Sequence, residues 1–255
     1  SRPASRKALR SIEDLRAIKP DLYINLTTGT WPSPFWLSIC DSIWRGGEDH
    51  FFKGVGSARQ RWMTYRDGDT YQRVVTQGPL YPLNSLMVHG ILYAKKAYKL
   101  DTDYENDFPS EVRSYFASGT QLQEMYVSHE LLTEKNWDVL AEGAKWSRAN
   151  AGTLVDTHWI GGDPFKLEVY GWASWSAEKG IFCLRNPNDE EQAFTVSLGK
   201  FFELPAGAAT AYQLKAPFAQ RKQPALTDKP LDAGATVEVR LRPFEVLVFE
   251  AIPAK

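Results

Sequence analysis

Apolar positions along this chain follow two different patterns, one on each side of about residue 150. In the first part, segments with helical spacing alternate with short apolar runs that are typical of strands. The predicted helices are Ala4–Ile18, Ala58–Tyr65, Glu111–Ala117 and Thr133–Asn150, with a further helix start in Ile91–Ala97. The predicted strands are Leu22–Leu26, the region of Ile43–Arg45, Leu83–Val88 and Leu122–Val127. This alternation predicts a parallel sheet or barrel.

Beyond Asn150 the pattern changes to short apolar runs separated by turn residues. Two of these runs, Val237–Leu241 and Glu245–Phe249, alternate apolar and polar positions with the period of a strand. The other predicted strands are Leu154–His158, Val169–Trp175, Gly180–Arg185, Ala193–Leu198 and Ala211–Leu214. Such a series is typical of an antiparallel β-sandwich. The predicted fold is α/β then all-β, with residues 1–150 as the C-terminal half of a (β/α)8 barrel and residues 151–255 as the sandwich.

Charge and composition exclude some classes of partner. The net charge is −1, with 30 basic and 31 acidic residues, and no basic stripe predicts a nucleic-acid partner. No apolar run approaches the roughly 20 residues needed to span a bilayer, so no membrane partner is expected. The first 20 residues lack the apolar core of a signal peptide. The compartment stays open, with a secreted or periplasmic location slightly favoured over the cytoplasm.

Metal and cofactor motifs are not found in the sequence. The histidines have no zinc-ligand spacing, and neither a phosphate-binding loop nor a dinucleotide fingerprint occurs, so we expect no metal and no cofactor. Cys40 and Cys183 lie in different halves of the chain. We expect two buried thiols, with a disulfide as the lesser alternative.

The segment Thr27–Asp49 contains the strongest candidate site. Trp31, Trp36 and Trp44 lie there among glycine, proline and charged residues, not in apolar runs. The segment follows a predicted strand, and loops after the strands of a barrel are where such enzymes place their sites. Trp31 and Trp36 are candidate platforms for the apolar face of a sugar ring, or packing residues at the top of the barrel.

Charged residues of the same segment supply candidate chemistry. Arg45 offers a planar fork for a carboxylate or paired sugar hydroxyls, or forms a salt bridge to Asp41 or Glu48. Asp41 is a sugar ligand, a residue that orients one, or a loop hydrogen-bond acceptor. Asp49 follows two glycines and is the candidate acid/base, unless it only caps a turn. Glu48 is the neighbour that would substitute for it.

For several other polar residues the sequence favours a structural role, or leaves a structural role open beside a functional one. Glu124, within the last predicted barrel strand, is either functional or a buried, paired charge. His89 and His158 are expected to be hydrogen-bonded core histidines. The segment Asp156–Asp163 is expected to form a structural link between the two parts of the chain.

Two short segments resemble known enzymes. Trp44–Asp49 (WRGGED) resembles the W-R-x-x-x-D segment of family 27 α-galactosidases, and Cys40–Trp44 resembles the residues that precede it. Tyr81–Leu83 and the Met87–His89 region resemble a segment of family 36 α-galactosidases. The resemblance implies retaining hydrolysis of terminal α-linked sugars. It also implies that Asp49 is the general acid/base and that Arg45 contacts a carbohydrate substrate, with Trp44 beside it.

One expected element of that family pattern is missing. Retaining hydrolysis requires two carboxyl groups about 5–5.5 Å apart, one of which is the nucleophile. In these families the nucleophile ends the fourth barrel strand, in a Lys-x-Asp or Asp-x-Asp setting, and none of the strands predicted here ends in such a setting. If Leu22–Leu26 matches the fifth strand, the nucleophile lies in a missing N-terminal half-barrel, on the same or another chain. This chain alone is then expected to be inactive. The alternative is a non-catalytic carbohydrate-binding or structural fragment, and glucosidase-like or hexosaminidase-like specificity stays open.

Overall fold

The computed structural model describes residues 2–27, 30–78 and 81–254, with side chains from residue 7 onward. The helices are α1 (Arg2–Ile18), α2 (Ala58–Thr70), α3 (Phe108–Ala117), α4 (Glu134–Ala149), α5 (Ala151–Leu154), α6 (Leu198–Phe201) and α7 (Pro224–Thr227). The first strands are β1 (Asn25–Leu26), β2 (Ser42–Trp44), β3 (Leu86–Met87), β4 (Ile91–Tyr93) and β5 (Met125–Val127). Within the described residues, no helix combines the length and apolar character needed to cross a membrane.

The strands of the first 150 residues form two small parallel sheets. β1, β2 and β3 are neighbours in that order, with Asn25 opposite Ser42 and Ile43 opposite Leu86. β4 pairs in parallel with β5. β3 and β4 lie close together in the sequence. If they are counted as one, the strands occupy four successive positions along the chain. The parallel pairing predicted from the helix–strand alternation is confirmed.

Helices α3 and α4 cover these strands through an apolar core. Val112 and Tyr115 of α3 are buried with Ile43 and Leu86 of the strands. Thr133 caps α4 as predicted, because its hydroxyl accepts a hydrogen bond from the Asn136 amide and the Asn136 side chain accepts one from the Thr133 amide. Helix α3 begins at Phe108, three residues before its predicted start, since Pro109 is favourable in a first helical turn.

Helix α2 is longer than predicted. Arg66–Asp69 (RDGD) has a composition typical of a turn, but the helix continues to Thr70. Arg66 donates to Asp67 at 2.7 Å, and the Tyr170 hydroxyl donates to the same carboxylate at 2.7 Å. The charged residues are therefore buried as bonded groups instead of marking a surface turn.

Three other sequence predictions were wrong. Ile91–Tyr93 forms β4 and not a helix start, because a short buried apolar run has no periodicity that distinguishes strand from helix. Leu83–Ser85 is a single 3₁₀ turn, so the strand predicted at Leu83–Val88 is only two residues long. The predicted strand at Leu154–His158 is also wrong, since α5 ends at Leu154 and the strand begins at His158.

After α5 the chain forms antiparallel sheets, as predicted. The strands are β6 (His158–Gly161), β7 (Tyr170–Trp175), β8 (Gly180–Arg185), β9 (Gln192–Val196), β10 (Ala211–Lys215), β11 (Leu231–Asp232), β12 (Val237–Leu241) and β13 (Val246–Pro253). Six of them form one sheet in the order β11-β10-β13-β8-β7-β6, and β12 pairs with β9. Val239 and Leu241 of the small sheet are buried in one apolar cluster with Phe182 and Leu247 of the large sheet.

The helical part packs closely on the large sheet. Trp62 of α2 is buried in the same apolar cluster as Cys183 of β8 and Val248 of β13. Arg185 of β8 donates to the Gln60 carbonyl at 2.9 Å and to the Thr64 hydroxyl at 3.0 Å. Cys183 and Cys40 are free, buried thiols, as the sequence predicted. The two parts of the chain therefore share a core.

Candidate functional site

The candidate site begins where strand β2 ends and Arg45 turns back into the protein. Arg45 is fully buried, and its guanidinium pairs with Asp69 of α2. It also donates to the Gly46 carbonyl at 2.7 Å and to the Glu48 carbonyl at 3.2 Å. The predicted salt bridge of Arg45 to the Asp41 or Glu48 carboxylate is thus replaced by one to Asp69. Arg45 holds the loop that follows it.

Two glycines allow the loop to pass over this ion pair. Gly46 and Gly47 have φ of +93° and +79°, a region that favours glycine. A Cβ at Gly47 would lie 1.8 Å from Oδ2 of Asp69, and one at Gly46 would lie 2.8 Å from the Trp31 ring. The Glu48 amide then donates to the Tyr65 hydroxyl at 2.8 Å. The loop is fixed at both ends of this turn.

Asp49 follows the fixed turn and projects outward, with its side chain 87% exposed. Its Oδ1 lies 3.4 Å from Nε2 of His89, which follows strand β3. Nδ1 of His89 lies 2.6 Å from Oε2 of Glu124, and the Tyr126 hydroxyl donates to the other oxygen of that carboxylate. The four side chains form one hydrogen-bonded chain, in which His89 is buried and the Asp49 and Tyr126 side chains at the two ends are exposed.

An open cleft of about 290 Å³ lies beside this chain of residues. Asp49, His89 and Tyr126 line it together with His50, and its remaining wall is formed by Leu92 of β4 and by three residues after that strand, Ala94, Lys96 and Ala97. The cleft joins exposed carboxylate, imidazole and phenol groups to an apolar floor. That combination suits a ligand with hydroxyl groups on one side and C–H groups on the other.

Glu124 and Tyr126 have shifted pKa values. Burial opposes the charge on Glu124, but hydrogen bonds from His89 and Tyr126 outweigh it and hold the pKa of this carboxyl below its ordinary value. Burial and the bond to Glu124 raise the pKa of the Tyr126 phenol. Glu124 is therefore an anion at neutral pH and Tyr126 a proton donor.

His89 is held in an unusual backbone conformation. Its φ is +35°, uncommon for a residue other than glycine. The next residue, Gly90, is so close to its neighbours that a Cβ would lie 2.2 Å from the Glu124 carbonyl oxygen. The ring itself is buried and lies against Trp44, with 4.4 Å between ring centroids. The expectation of a hydrogen-bonded histidine is confirmed, and the ring also forms part of the cleft wall.

The tryptophans of the predicted site have different surroundings. Trp31 is 61% exposed, with its ring against Gly46 of the Asp49 loop. Trp36 is half-buried and packs against two apolar clusters. Trp44 is half-buried between His89 and the Arg45 guanidinium, whose carbon lies 4.5 Å from the ring centre. Trp31 alone of the three presents a large open face, and its role as a sugar platform stays a prediction.

Asp41 lies at the other end of strand β2, before Ser42. Its Oδ2 accepts hydrogen bonds from the Ile24 amide at 2.7 Å and from Arg16 of α1 at 3.1 Å. A loop hydrogen-bonding role, which the sequence had left open, accounts for these contacts. Asp41 fixes α1 and β1 to β2, and a sugar contact stays a prediction.

The site contains residues that the sequence did not indicate. Asp69 lies in a stretch with the composition of a turn, and nothing in the sequence distinguished Tyr65 or Tyr126. Glu124 was noted as functional or buried and paired, and its pairing is now visible. His158, the other expected core histidine, contacts the Phe201 and Asp156 carbonyls far from this site. Asp163 is buried and accepts hydrogen bonds from Gln72 and the Phe165 amide, consistent with the expected structural link.

The sequence matches no protein-family model and no curated protein. Its structure does match solved structures. A family 36 α-galactosidase from Geobacillus stearothermophilus, in complex with raffinose, superposes with a TM-score of 0.62 at 10% identity, covering 96% of this chain and 30% of that one. The chain shares its fold with part of the family 36 α-galactosidases. The resemblance noted in the sequence is confirmed at this level.

Two further solved structures show how widely the fold is shared. A putative α-N-acetylgalactosaminidase from Bacillus halodurans matches with a TM-score of 0.53 at 11% identity, over 92% of this chain and 49% of that one. An α-amylase from Anoxybacillus matches with a TM-score of 0.55 at 9% identity, over 96% and 55%. This chain spans about 30% of the family 36 α-galactosidase named above.

Proposed function

We propose that this chain is the C-terminal half of a retaining α-glycosidase of the α-galactosidase type, with Asp49 as its general acid/base. Residues 1–150 are the second half of a (β/α)8 barrel, and residues 151–255 are an antiparallel β-sandwich. Asp49 gives a proton to the glycosidic oxygen as the bond to the sugar breaks, and later takes a proton from the attacking water.

The open edges of the sheet support the half-barrel. Among the described residues, β1 pairs only with β2, and β5 pairs only with β4. Met125 and Tyr126 of β5 are 44% and 42% exposed. An unpaired parallel strand with exposed apolar residues is rare in a finished sheet, since it invites pairing with other strands. A further half-barrel that joins both edges accounts for this exposure.

The observation that carries the proposal is the position of Asp49. It follows the carboxyl end of a parallel strand, in the place where barrel enzymes locate catalytic groups. A turn held by Arg45 and Tyr65 presents its carboxyl group beside an open cleft. A carboxylate with only a structural role would be expected to bond to the turn itself, whereas the protein contact of the Asp49 side chain is His89.

The other substrate-binding residues follow from this placement. Trp31 presents an exposed ring beside the Asp49 loop, suitable for stacking on the apolar face of a sugar. Arg45 is buried, so its contribution in this arrangement is to set the direction of the loop. Galactose is proposed from the resemblance of the Trp44–Asp49 segment to α-galactosidases, because the fold is also shared with an α-amylase.

The test uses the full-length protein that contains this chain and an aryl α-galactoside. Asp49→Asn should lower turnover by about 10²–10⁴-fold, the usual contribution of general acid/base catalysis. Glu48→Gln is the matched control, since Glu48 is an exposed carboxylate on the same loop. It should stay within about tenfold of the wild type. Turnover of Asp49→Asn within the same tenfold range contradicts the assignment.

A non-catalytic sugar-binding fragment is the second candidate, favoured by the exposed face of Trp31 and the missing nucleophile. Calorimetry of this chain with galactose and related sugars separates the two. Binding that is lost in Trp31→Ala, combined with an inactive full-length protein, supports the binding function. Hydrolysis by the full-length protein contradicts it.

A further inference from the structure

His89 connects the exposed carboxyl group of Asp49 to the half-buried carboxylate of Glu124. Its Nδ1 faces Glu124 at 2.6 Å, and its Nε2 faces Asp49 at 3.4 Å. The ring packs against Trp44 and against Tyr126, whose ring centroid lies 5.3 Å away. Its left-handed backbone is a local strain that the surrounding structure must offset.

We propose that His89 is a positioning residue for Asp49: Glu124 and Tyr126 fix its ring so that Nε2 accepts a hydrogen bond from the proton-carrying form of the Asp49 carboxyl group. The inference rests on the proposed function, since it assigns a partner to the acid/base named there. It adds Glu124, His89 and Tyr126 to the machinery of the site without placing any of them in contact with the reacting atoms.

The contact between His89 and Glu124 determines which ring nitrogen of His89 carries the hydrogen. Glu124 is held as an anion, so the nitrogen that faces it, Nδ1, must carry a hydrogen. In a neutral imidazole the other nitrogen then has a lone pair and can only accept. While the ring is neutral, a hydrogen bond to Nε2 requires Asp49 to supply the hydrogen, which is the form needed to protonate a leaving group.

The same geometry favours return of the proton. After Asp49 has given its proton to the glycosidic oxygen, its carboxylate faces the lone pair of Nε2 and has no hydrogen to share. Taking a proton from the attacking water restores the bond. In both steps the Nε2 lone pair can bond only to the protonated form of Asp49, while the proton itself moves only between Asp49 and the substrate or water.

Charged and polar groups from several neighbouring elements surround Asp49 and His89. Strand β5 and the residue before it supply Tyr126 and Glu124, and the loop after β2 supplies Asp49. His50 and Lys96 line the cleft. A cation in the cleft would favour an anionic Asp49, so the effect of His89 must be separated from theirs by substitution at position 89 itself.

Substitution of His89 by asparagine or by glutamine tests the roles of its two ring nitrogens one at a time. His89→Asn places its amide near the position of Nδ1 and keeps a donor for Glu124, but it has no atom at the position of Nε2. Asparagine also tolerates a left-handed backbone, so the fold should be kept. His89→Gln places an amide oxygen near Nε2, where it can still accept from Asp49.

Nitrogen NMR of the imidazole in this chain, with His89 assigned from the His89→Gln spectrum, tests the proton position without any turnover. Above neutral pH, Nδ1 of His89 should carry the hydrogen and Nε2 should be unprotonated. In Glu124→Gln the preference for this tautomer should be lost. A hydrogen on Nε2 above neutral pH, in a neutral or a doubly protonated ring, or a Glu124→Gln spectrum identical to that of the wild type, overturns the proposal.

Kinetics of the full-length protein test the consequence. His89→Asn should lower kcat on an α-galactoside by about 10–100-fold, the usual range for outer residues that orient a catalytic group, with KM little changed. The basic limb of its pH–rate profile should move to lower pH, and His89→Gln should restore part of both losses. A His89→Asn enzyme with the wild-type kcat and basic limb overturns the proposal. If the wild type hydrolyses no α-glycoside, the proposed function fails, and the NMR result still decides the proton position.

Discussion

Replacing Gly47 by alanine tests whether the turn before Asp49 is built as described. Gly47 has φ of +79°, and a Cβ there would lie 1.8 Å from Oδ2 of Asp69. That oxygen is the far end of a short side chain, but it is not free to move. It pairs with Arg45, and the same carboxylate accepts from Nε of Arg73 at 2.9 Å.

The expected loss has two parts. A non-glycine residue in the left-handed region costs about 1–2 kcal/mol. Displacing Asp69 leaves the fully buried Arg45 without its partner, and breaking such a pair typically costs about 3–5 kcal/mol. The sum of roughly 4–7 kcal/mol approaches the whole stability of many domains, about 5–15 kcal/mol.

Gly78→Ala is the matched control. Gly78 also has a left-handed backbone, with φ of +59°, but among the described residues a Cβ there would meet no atom within 4 Å. It should lose only the backbone part, about 1–2 kcal/mol. Urea unfolding of both variants, followed by tryptophan fluorescence and compared at equal m-value, gives the two losses.

The comparison between the two variants decides the result. A Gly47→Ala chain that fails to fold while Gly78→Ala folds agrees with the prediction. Equal losses in the two variants would show that Asp69 can move without cost, and the account of a fixed turn would be wrong.

Three other predictions concern the buried charges and thiols. Glu111→Gln should cost about 3–5 kcal/mol in urea unfolding, because this fully buried carboxylate pairs with Arg59 and accepts from Trp62 at 2.9 Å; a loss below 1 kcal/mol contradicts the pairing. The pKa of Glu124 is lowered in the folded state, so its contribution to stability is present above its unfolded value near 4.3 and is lost as pH falls below it. The stability difference between wild type and Glu124→Gln should therefore shrink on acidification, and a difference that grows refutes this. Burial raises the pKa of the Cys40 and Cys183 thiols, so both should resist a thiol reagent in the folded chain and react in urea; rapid native labelling contradicts their burial.

The sequence predicted elements well where local chemistry decides them. Thr133 and the apolar side of the following residues predicted helix α4 nearly residue for residue. Gly180–Arg185 was predicted with its observed bounds, because a continuous apolar run between turns leaves little choice. The antiparallel pattern of the last hundred residues followed from the same short-range signals.

Prediction failed where distant partners decide the structure. Arg66–Asp69 has the composition of a turn, and it is helical because Tyr170 and Arg45, far away in sequence, bond to its carboxylates. The strand at Ile91–Tyr93 exists because it pairs with β5, and its three apolar residues have no period of their own.

The candidate site shows the same division. The WRGGED segment pointed to Asp49, and the paired glycines pointed to a turn. The partners that shape the turn and the cleft, Asp69, Tyr65 and Tyr126, come from other elements and have no motif. Only the fold brings them to the segment.

The most direct test of the central claim is rescue of Asp49→Asn in the full-length protein by sodium azide. Azide attacks without giving up a proton, so it does not need a general base in the second step of a retaining reaction. With an activated aryl α-galactoside, azide should restore turnover and yield a galactosyl azide, while Glu48→Gln should show no such dependence. An Asp49→Asn enzyme that azide leaves unchanged, or one that turns over at the wild-type rate without it, contradicts the assignment of Asp49 as the acid/base.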